Sequence, residues 1–125
     1  MIALADFLSK CNPIQFGYFG EFLFNAKMTK LGHCVKRVNA GGGDFFFDGL
    51  LIDVKTCRHG TLRLPHVDKT DGVTNIYIKI NKKGAEIKFA DNIVTVDPVE
   101  LDQLHRTYIT KTDTKDHRAD TKLNT

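Results

Sequence analysis

Residues 41–56 read GGGDFFFDGLLIDVKT and contain the strongest local folding signal of the chain. Two apolar runs, FFF and LLI, flank Asp48-Gly49. An Asp-Gly pair between β-prone runs predicts a hairpin with a two-residue turn, because that turn needs a positive φ at both central residues. Counting outward from the turn places Asp44 opposite Asp53. The sequence therefore predicts a hairpin with two carboxylates at its open end.

Two carboxylates that face each other across a strand pair destabilise it, whereas a divalent cation between them reverses the sign of the interaction. Lys55 lies two residues beyond Asp53 and shares its face of the strand. Carboxylate oxygens suit Mg²⁺, which binds through one or two carboxylates and keeps waters for a phosphate-bearing substrate. Two alternatives remain open. A three-residue loop with a bulge pairs Asp44 with Ile52, or Asp44 lies in a loop and Asp53-x-Lys55 on an exposed edge.

The composition predicts one domain over residues 1–109 and a disordered polar tail over residues 110–125. The chain has 125 residues, 42% of them hydrophobic, which is enough for a core. A net charge of +3 is compatible with nucleic-acid binding without demonstrating it. Three cysteines without a C-x-x-C pair indicate a reducing compartment, the cytoplasm, and their spacing beside His33 and His59 matches no zinc finger. No apolar run is long enough to span a membrane.

Periodicity and punctuation residues predict an α/β domain. Asn12-Pro13 starts a helix, which either runs on from there or begins again near Phe19, and Gly32 ends it. The other predicted elements are a helix at 2–10, a strand at 33–39, a glycine link at 41–43, a surface loop at 58–72, strands at 75–80, 85–90 and 92–96, and a helix from 97 to about 108.

Glu21 is a carboxylate in a mostly apolar helix. It either interacts with the helix dipole or points at the metal of the hairpin. A helix with this Glu, a Gly-rich link, an Asp, a hairpin and Asp-x-Lys resembles the PD-(D/E)xK nuclease superfamily over residues 17–56. The layout is most similar to small Holliday-junction resolvases and phage junction endonucleases, although Gly43 stands where a Pro is common.

This resemblance implies a restriction-endonuclease-like core, in which a central mixed sheet is flanked by helices. It implies hydrolysis of DNA phosphodiesters, with Mg²⁺ (or Mn²⁺ as a substitute) held by Asp44, Asp53 and Glu21, and with Lys55 orienting the nucleophile. It also implies a homodimer in the cytoplasm, or in the host cytoplasm for a phage-encoded protein. The candidate DNA-binding residues are Lys36, Arg37, Arg58, Arg63 and Lys69.

Three alternatives remain open at this point. The substrate is branched DNA, as for a junction-resolving enzyme, or it is a specific sequence in duplex DNA, as for a restriction-like or homing endonuclease. In the third alternative, the chain is a nuclease-like fold that binds nucleic acid or protein without cutting.

Overall fold

A computed structural model describes residues 2–38, 43–89 and 92–114, and only the backbone of residues 112–114. Residues 39–42, which include most of the predicted glycine link, lie outside the described residues, as do 90, 91 and the tail from 115. The described elements are α1 (Leu4–Lys10), α2 (Pro13–Lys30), β1 (Val35–Arg37), β2 (Phe45–Phe47), β3 (Leu50–Cys57), β4 (His66–Val67), β5 (Thr74–Asn81), β6 (Gly84–Phe89), β7 (Asn92–Val96) and α3 (Pro98–Thr114).

The strands form one mixed sheet, which confirms the predicted α/β class with a mixed sheet and helices. The strand order is β1-β2-β3-β5-β6-β7, and the short β4 pairs with β5. β3 and β5 run parallel, while the other pairs are antiparallel. The crossover between β3 and β5 is formed by residues 58–73, which contain β4 and no helix. The predicted surface loop thus contributes a strand to the sheet.

Helix α2 begins at Pro13 and does not restart near Phe19. The Asn12 side chain accepts a hydrogen bond from the backbone N–H of Gln15, and the Gln15 side chain accepts one from the N–H of Asn12. This capping box fixes the start of the helix. Two glycines inside α2 each weaken it by about 1 kcal/mol relative to alanine. Burial of its apolar side chains offsets that loss; the buried ones are Phe16, Phe19, Leu23, Phe24 and Met28.

The core lies between one face of the sheet and the helices. Alternate residues of β3 and β5 enter this core, where they meet buried side chains of all three helices. The intervening residues of the same strands, Asp53, Lys55, Tyr77 and Lys79, are only partly buried or exposed. Because side chains alternate across a strand, the polar set lies on the opposite face, where Asp53 and Lys55 can meet a ligand.

Helix α3 continues to Thr114, past the end predicted near Tyr108. The first five residues of the predicted disordered tail, 110–114, are therefore helical. Tyr108 is buried and its ring lies 5.2 Å from the rings of both Phe19 and Phe22, measured between centroids. Lys111 extends the contact, with its ammonium 5.7 Å from the ring centroid of Phe22. No helix in the described part of the chain combines the length and apolarity that crossing a membrane requires.

Candidate active site

The hairpin turn at Asp48-Gly49 forms as predicted. Both residues have positive φ values, 48° and 86°, as a two-residue turn of this type requires. The pairing register is also the predicted one, from Phe47 opposite Leu50 to Phe45 opposite Ile52. The Asp48 carboxylate holds the turn in place, because one oxygen accepts from the backbone N–H of Cys34 at 2.8 Å and the other contacts His33 Nδ1 at 2.7 Å.

Asp44 lies just outside the ladder, at a bulge. Its backbone N–H donates to the carbonyl oxygen of Ile52 at 2.7 Å, although Ile52 is already the ladder partner of Phe45. Two residues of one strand thus face one residue of the other, which is the pairing that defines a bulge. The structure combines the predicted two-residue turn with the Asp44–Ile52 pairing that a longer loop had implied.

The bulge turns the Asp44 carboxylate toward β3. Its Oδ2 accepts a hydrogen bond from the backbone N–H of Val54 at 2.7 Å. The N–H of Val54 points toward β2, as the backbone groups of Ile52 do. If β2 were longer, one of its carbonyl groups would accept this hydrogen bond. The carboxylate therefore caps the ladder in place of backbone, and it is held within hydrogen-bond contact of the Asp53 carboxyl.

Asp53 and Lys55 form the second part of the site. The Lys55 ammonium lies 2.6 Å from Asp53 Oδ2, and the side chain of Asp53 is 21% exposed. The hydrogen bond to Asp53 raises the pKa of Lys55, so the amine carries its charge at neutral pH. Lys55 itself is 53% exposed, which leaves the ammonium accessible to a second anion beside the aspartate.

The Asp44 carboxyl holds its proton far more strongly than an ordinary aspartic acid. Burial, followed by the hydrogen bond to Asp53, raises its pKa from 3.8 to about 7, and the charge of Glu21 adds to the rise. The N–H of Val54 acts in the opposite direction without cancelling it. Near neutral pH and without a cation, the Asp44 carboxyl is therefore protonated in a large part of the molecules, as expected for a buried carboxyl beside another acid.

Glu21 is brought near the hairpin by the close packing of α2 on β3. A Cβ built on Gly20 would lie 2.0 Å from Thr56 Oγ1, so only glycine permits this approach. The Glu21 carboxylate then accepts from Arg37 Nη1 at 3.0 Å, while the Arg37 guanidinium lies 4.9 Å from the ring centroid of Phe45. The structure thus places Glu21 close enough to raise the pKa of Asp44, in an ion pair with Arg37.

The carboxyls of Asp44 and Asp53 fit Mg²⁺ as a donor set. Both are hard oxygen ligands, already in contact, and their mutual repulsion falls when a cation replaces the proton of Asp44. Across the residues that the structure describes, no three Asp, Glu, His or Cys side chains come close enough to hold a metal ion. The aspartate pair is the candidate metal-binding group of the described residues, Glu21 acts on Asp44 through its charge, and its predicted role as a third metal ligand stays a prediction.

The five predicted DNA-binding residues have different surroundings. Lys36, Arg63 and Lys69 are exposed, and Arg37 is paired with Glu21. Arg58 is engaged in the fold. Its guanidinium lies 4.0 Å from the ring centroid of Phe16 and donates to the carbonyl oxygen of Leu8.

Three further residues lie beside the site and could not be identified from the sequence. Parallel pairing of β3 with β5 sets Asn75 next to Asp53 and Tyr77 next to Lys55. His66 of β4 stacks on the Tyr77 ring, with centroids 5.6 Å apart. The two-residue repeat of a strand places Tyr77 on the face of β5 opposite the buried Ile76 and Ile78. The missing information was the neighbouring strand, because no local pattern specifies parallel pairing across a crossover.

Comparison of the chain with protein-family models, with curated proteins and with solved structures gives no match. A functional interpretation therefore has to come from the residues of the chain itself.

Proposed function

We propose that the protein is a Mg²⁺-dependent DNA endonuclease that hydrolyses phosphodiester bonds, with Asp44, Asp53, Lys55 and Glu21 as its active site. The observation that carries the proposal is the contact between the Asp44 and Asp53 carboxyls, with the Lys55 ammonium bound to Asp53. The order of these residues along the chain resembles the PD-(D/E)xK nucleases, and the proposal includes their restriction-endonuclease-like core.

Each residue has a role that follows from its surroundings. Asp44 and Asp53 would hold the ion, which when bound polarises the phosphate and makes its water more acidic. Lys55 is anchored by Asp53 and exposed enough to contact the phosphate or the attacking water, so it can stabilise negative charge that develops there. Glu21 adds negative charge behind Asp44, which favours a cation at the pair.

Affinity for the DNA backbone would come from exposed basic side chains. Lys36, Arg63 and Lys69 are exposed, and Arg37 is exposed as well but paired with Glu21. Each phosphate contact releases counterions, so binding should weaken steeply as salt is raised. Arg58 is less available for this role because its guanidinium packs on Phe16.

The test is DNA cleavage by the purified protein. Supercoiled, linear, branched and single-stranded DNA are incubated with Mg²⁺, with Mn²⁺ or with EDTA. Cutting that requires the metal and is lost in Asp53→Asn supports the proposal. Asp102→Asn is the matched control, since Asp102 is an exposed aspartate of α3 that pairs only locally with Arg106, at 3.0 Å. Metal-independent cutting, or full activity of Asp53→Asn, overturns the site assignment.

The same assay distinguishes the proposed substrates. A junction-resolving enzyme prefers branched DNA to linear duplex, whereas a restriction-like or homing enzyme gives discrete fragments. We include a homodimer in the proposal because two copies of the site would cut two strands, and light scattering with and without branched DNA measures the mass.

A second candidate is a nucleic-acid-binding module that does not cut. The observation that favours it is the pairing of two acidic site residues with cations of the chain itself, Glu21 with Arg37 and Asp53 with Lys55. Calorimetry separates the two candidates. Mg²⁺ or Mn²⁺ binding that is lost in Asp44→Asn supports the nuclease, whereas DNA binding without metal binding supports the module.

A further inference from the structure

A cavity of about 370 Å³ opens beside Asp44, on the side of the site away from Lys55. Five residues of α2 line it together with Arg37 of β1 and Asp44 itself. The five are Pro13, Ile14, Gly17, Tyr18 and Glu21. The cavity thus shares two residues, Glu21 and Asp44, with the proposed active site, and anything bound in it would lie next to the phosphate held there.

Gly17 is the unusual residue in this lining. It lies inside α2, where glycine is unfavourable relative to alanine. A Cβ built on Gly17 meets no atom of the described residues within 4 Å, in contrast to Gly20, where a Cβ would clash with Thr56. The fold therefore requires glycine at position 20 and does not require it at position 17. The open space at Gly17 is available to a molecule from outside the chain.

The lining selects the chemistry of that molecule. Ile14 is 55% exposed, and with Tyr18 it gives the cavity an apolar and aromatic side. On the polar side, the carboxylates of Glu21 and Asp44 repel an anion, and the charge of Arg37 is already balanced by Glu21 at 3.0 Å. A flat, uncharged group with edge donors and acceptors fits these conditions, because it can stack on the apolar side and bond to Glu21 and Arg37.

We propose that this cavity binds one unpaired nucleobase of the substrate DNA, next to the phosphate that is cut. The inference rests on the proposed function, since it takes DNA to be the substrate, and it narrows the substrate to DNA with unpaired nucleotides. A base in a duplex is stacked and paired, and it reaches such a cavity only after unstacking, whereas bases of single strands, flaps and branch points are available.

The test compares three fluorescein-labelled probes by anisotropy, in Ca²⁺ to limit cutting. The probes are a short single-stranded oligonucleotide, the same oligonucleotide with abasic sites in its centre, and a duplex. Backbone charge is the same in the first two, so their affinity ratio reports base contacts alone. The wild-type protein should prefer the base-containing strand by about tenfold, the effect of one stacked base.

Gly17→Leu should abolish this preference by filling the cavity. Thr29→Leu is the matched control, because it adds the same side chain at an exposed position of α2 outside the cavity, and it should keep the wild-type ratio. Thermal unfolding checks the fold of each variant. If Gly17→Leu fails to fold, Gly17→Ala, which introduces only one methyl group and improves the helix, should reduce the ratio in part.

Two results overturn the inference. One is a wild-type protein that binds the abasic strand as tightly as the intact strand. The other is a folded Gly17→Leu variant that keeps the wild-type ratio. If the wild-type protein cuts DNA with Mg²⁺ but shows no base preference, only the inference about the nucleobase cavity is refuted. If it neither binds nor cuts any of the probes, the proposed function is refuted as well.

Discussion

Two clusters of partly buried charge differ in how well they are balanced. At the junction of α2 and α3, which we call the helix clamp, Glu100 receives the ammonium groups of Lys27 at 2.9 Å and Lys30 at 3.3 Å. At the end of the hairpin, the carboxyls of Asp44 and Asp53 contact each other. The helix clamp brings opposite charges together, while the aspartate pair brings like charges together.

The pKa values record this difference. Burial alone would raise the pKa of Glu100, but the hydrogen bonds from Lys27 and Lys30 outweigh it and hold the value below the usual range. The pKa of Asp44 rises to about 7 because burial and Asp53 act in the same direction. At the helix clamp, ion pairs offset the cost of burying a charge and so stabilise the fold. At the aspartate pair, burial and the neighbouring acid both disfavour the charged form of Asp44, which costs stability and suits a bound cation.

The largest expected effect is on catalysis. Lys55→Ala removes the ammonium that contacts Asp53 and should reduce Mg²⁺-dependent DNA cleavage by about 10²–10³-fold. Plasmid nicking rates measure it. Lys30→Ala in the helix clamp is the matched control, since Lys30 is 70% exposed and also pairs with a carboxylate, and its activity should match the wild type. Equal activity of both variants would show that Lys55 has no special role.

A smaller effect is expected on folding. Glu100→Gln leaves Lys27, whose side chain is only 13% exposed, without its anionic partner, and should lower the free energy of unfolding by about 2 kcal/mol. Urea unfolding followed by circular dichroism measures this loss. Asp102→Asn, on the same helix, should change it far less because its ion pair is exposed. An unchanged midpoint for Glu100→Gln would show that the helix clamp does not stabilise the fold.

Asp44→Asn should change the free energy of unfolding in the opposite direction. In EDTA at pH 8 it should raise the free energy of unfolding by about 1 kcal/mol, because it removes one of two like charges. The amide oxygen of the new side chain can still accept from Val54. In excess Mg²⁺ the wild-type protein should gain stability through binding and the variant should not. A variant that is less stable than the wild type in EDTA would mean that the carboxylate is needed for folding itself.

The Asp44 carboxyl should also make the free energy of unfolding depend on pH. The folded pKa of Asp44, about 7, lies above its ordinary value of 3.8, so between these values the folded protein keeps a proton that the unfolded chain releases. The contribution of Asp44 to stability is therefore complete below pH 3.8 and is lost as pH rises through 7. In EDTA, the wild-type unfolding free energy should fall relative to that of Asp44→Asn from pH 5 to pH 8. A flat difference would indicate an ordinary carboxyl.

The hairpin could be predicted because its determinants are local. Asp48-Gly49 specifies the turn, the turn specifies the register, and the register fixes that Asp53 and Lys55 share a face. The capping box at Asn12 likewise lies within four consecutive residues. Local propensity left open whether α2 runs on through Gly17 and Gly20. Burial of its apolar side chains, which propensity does not include, decides that it does.

The remainder of the candidate site depends on contacts between distant segments. The prediction that Asp44 faces Asp53 was right about proximity, although a bulge, and not ladder pairing, brings the two carboxyls together. The contact of the Arg58 guanidinium with the Phe16 ring is one that a sequence cannot show. The sequence also gave no indication that β5 would add Asn75 and Tyr77 to the site.

The sequence by itself determined the turn, the strand register and the common face of Asp53 and Lys55, because these follow from φ preferences and from the two-residue repeat of a strand. Only the tertiary structure decided that Glu21 pairs with Arg37, that Asp44 turns its carboxylate toward β3, and that a cavity remains open at Gly17. The position of Glu21 and the cavity depend on how closely α2 packs on the sheet, and that distance is set by side-chain volumes far apart in the chain. The orientation of Asp44 depends on the bulge opposite Ile52.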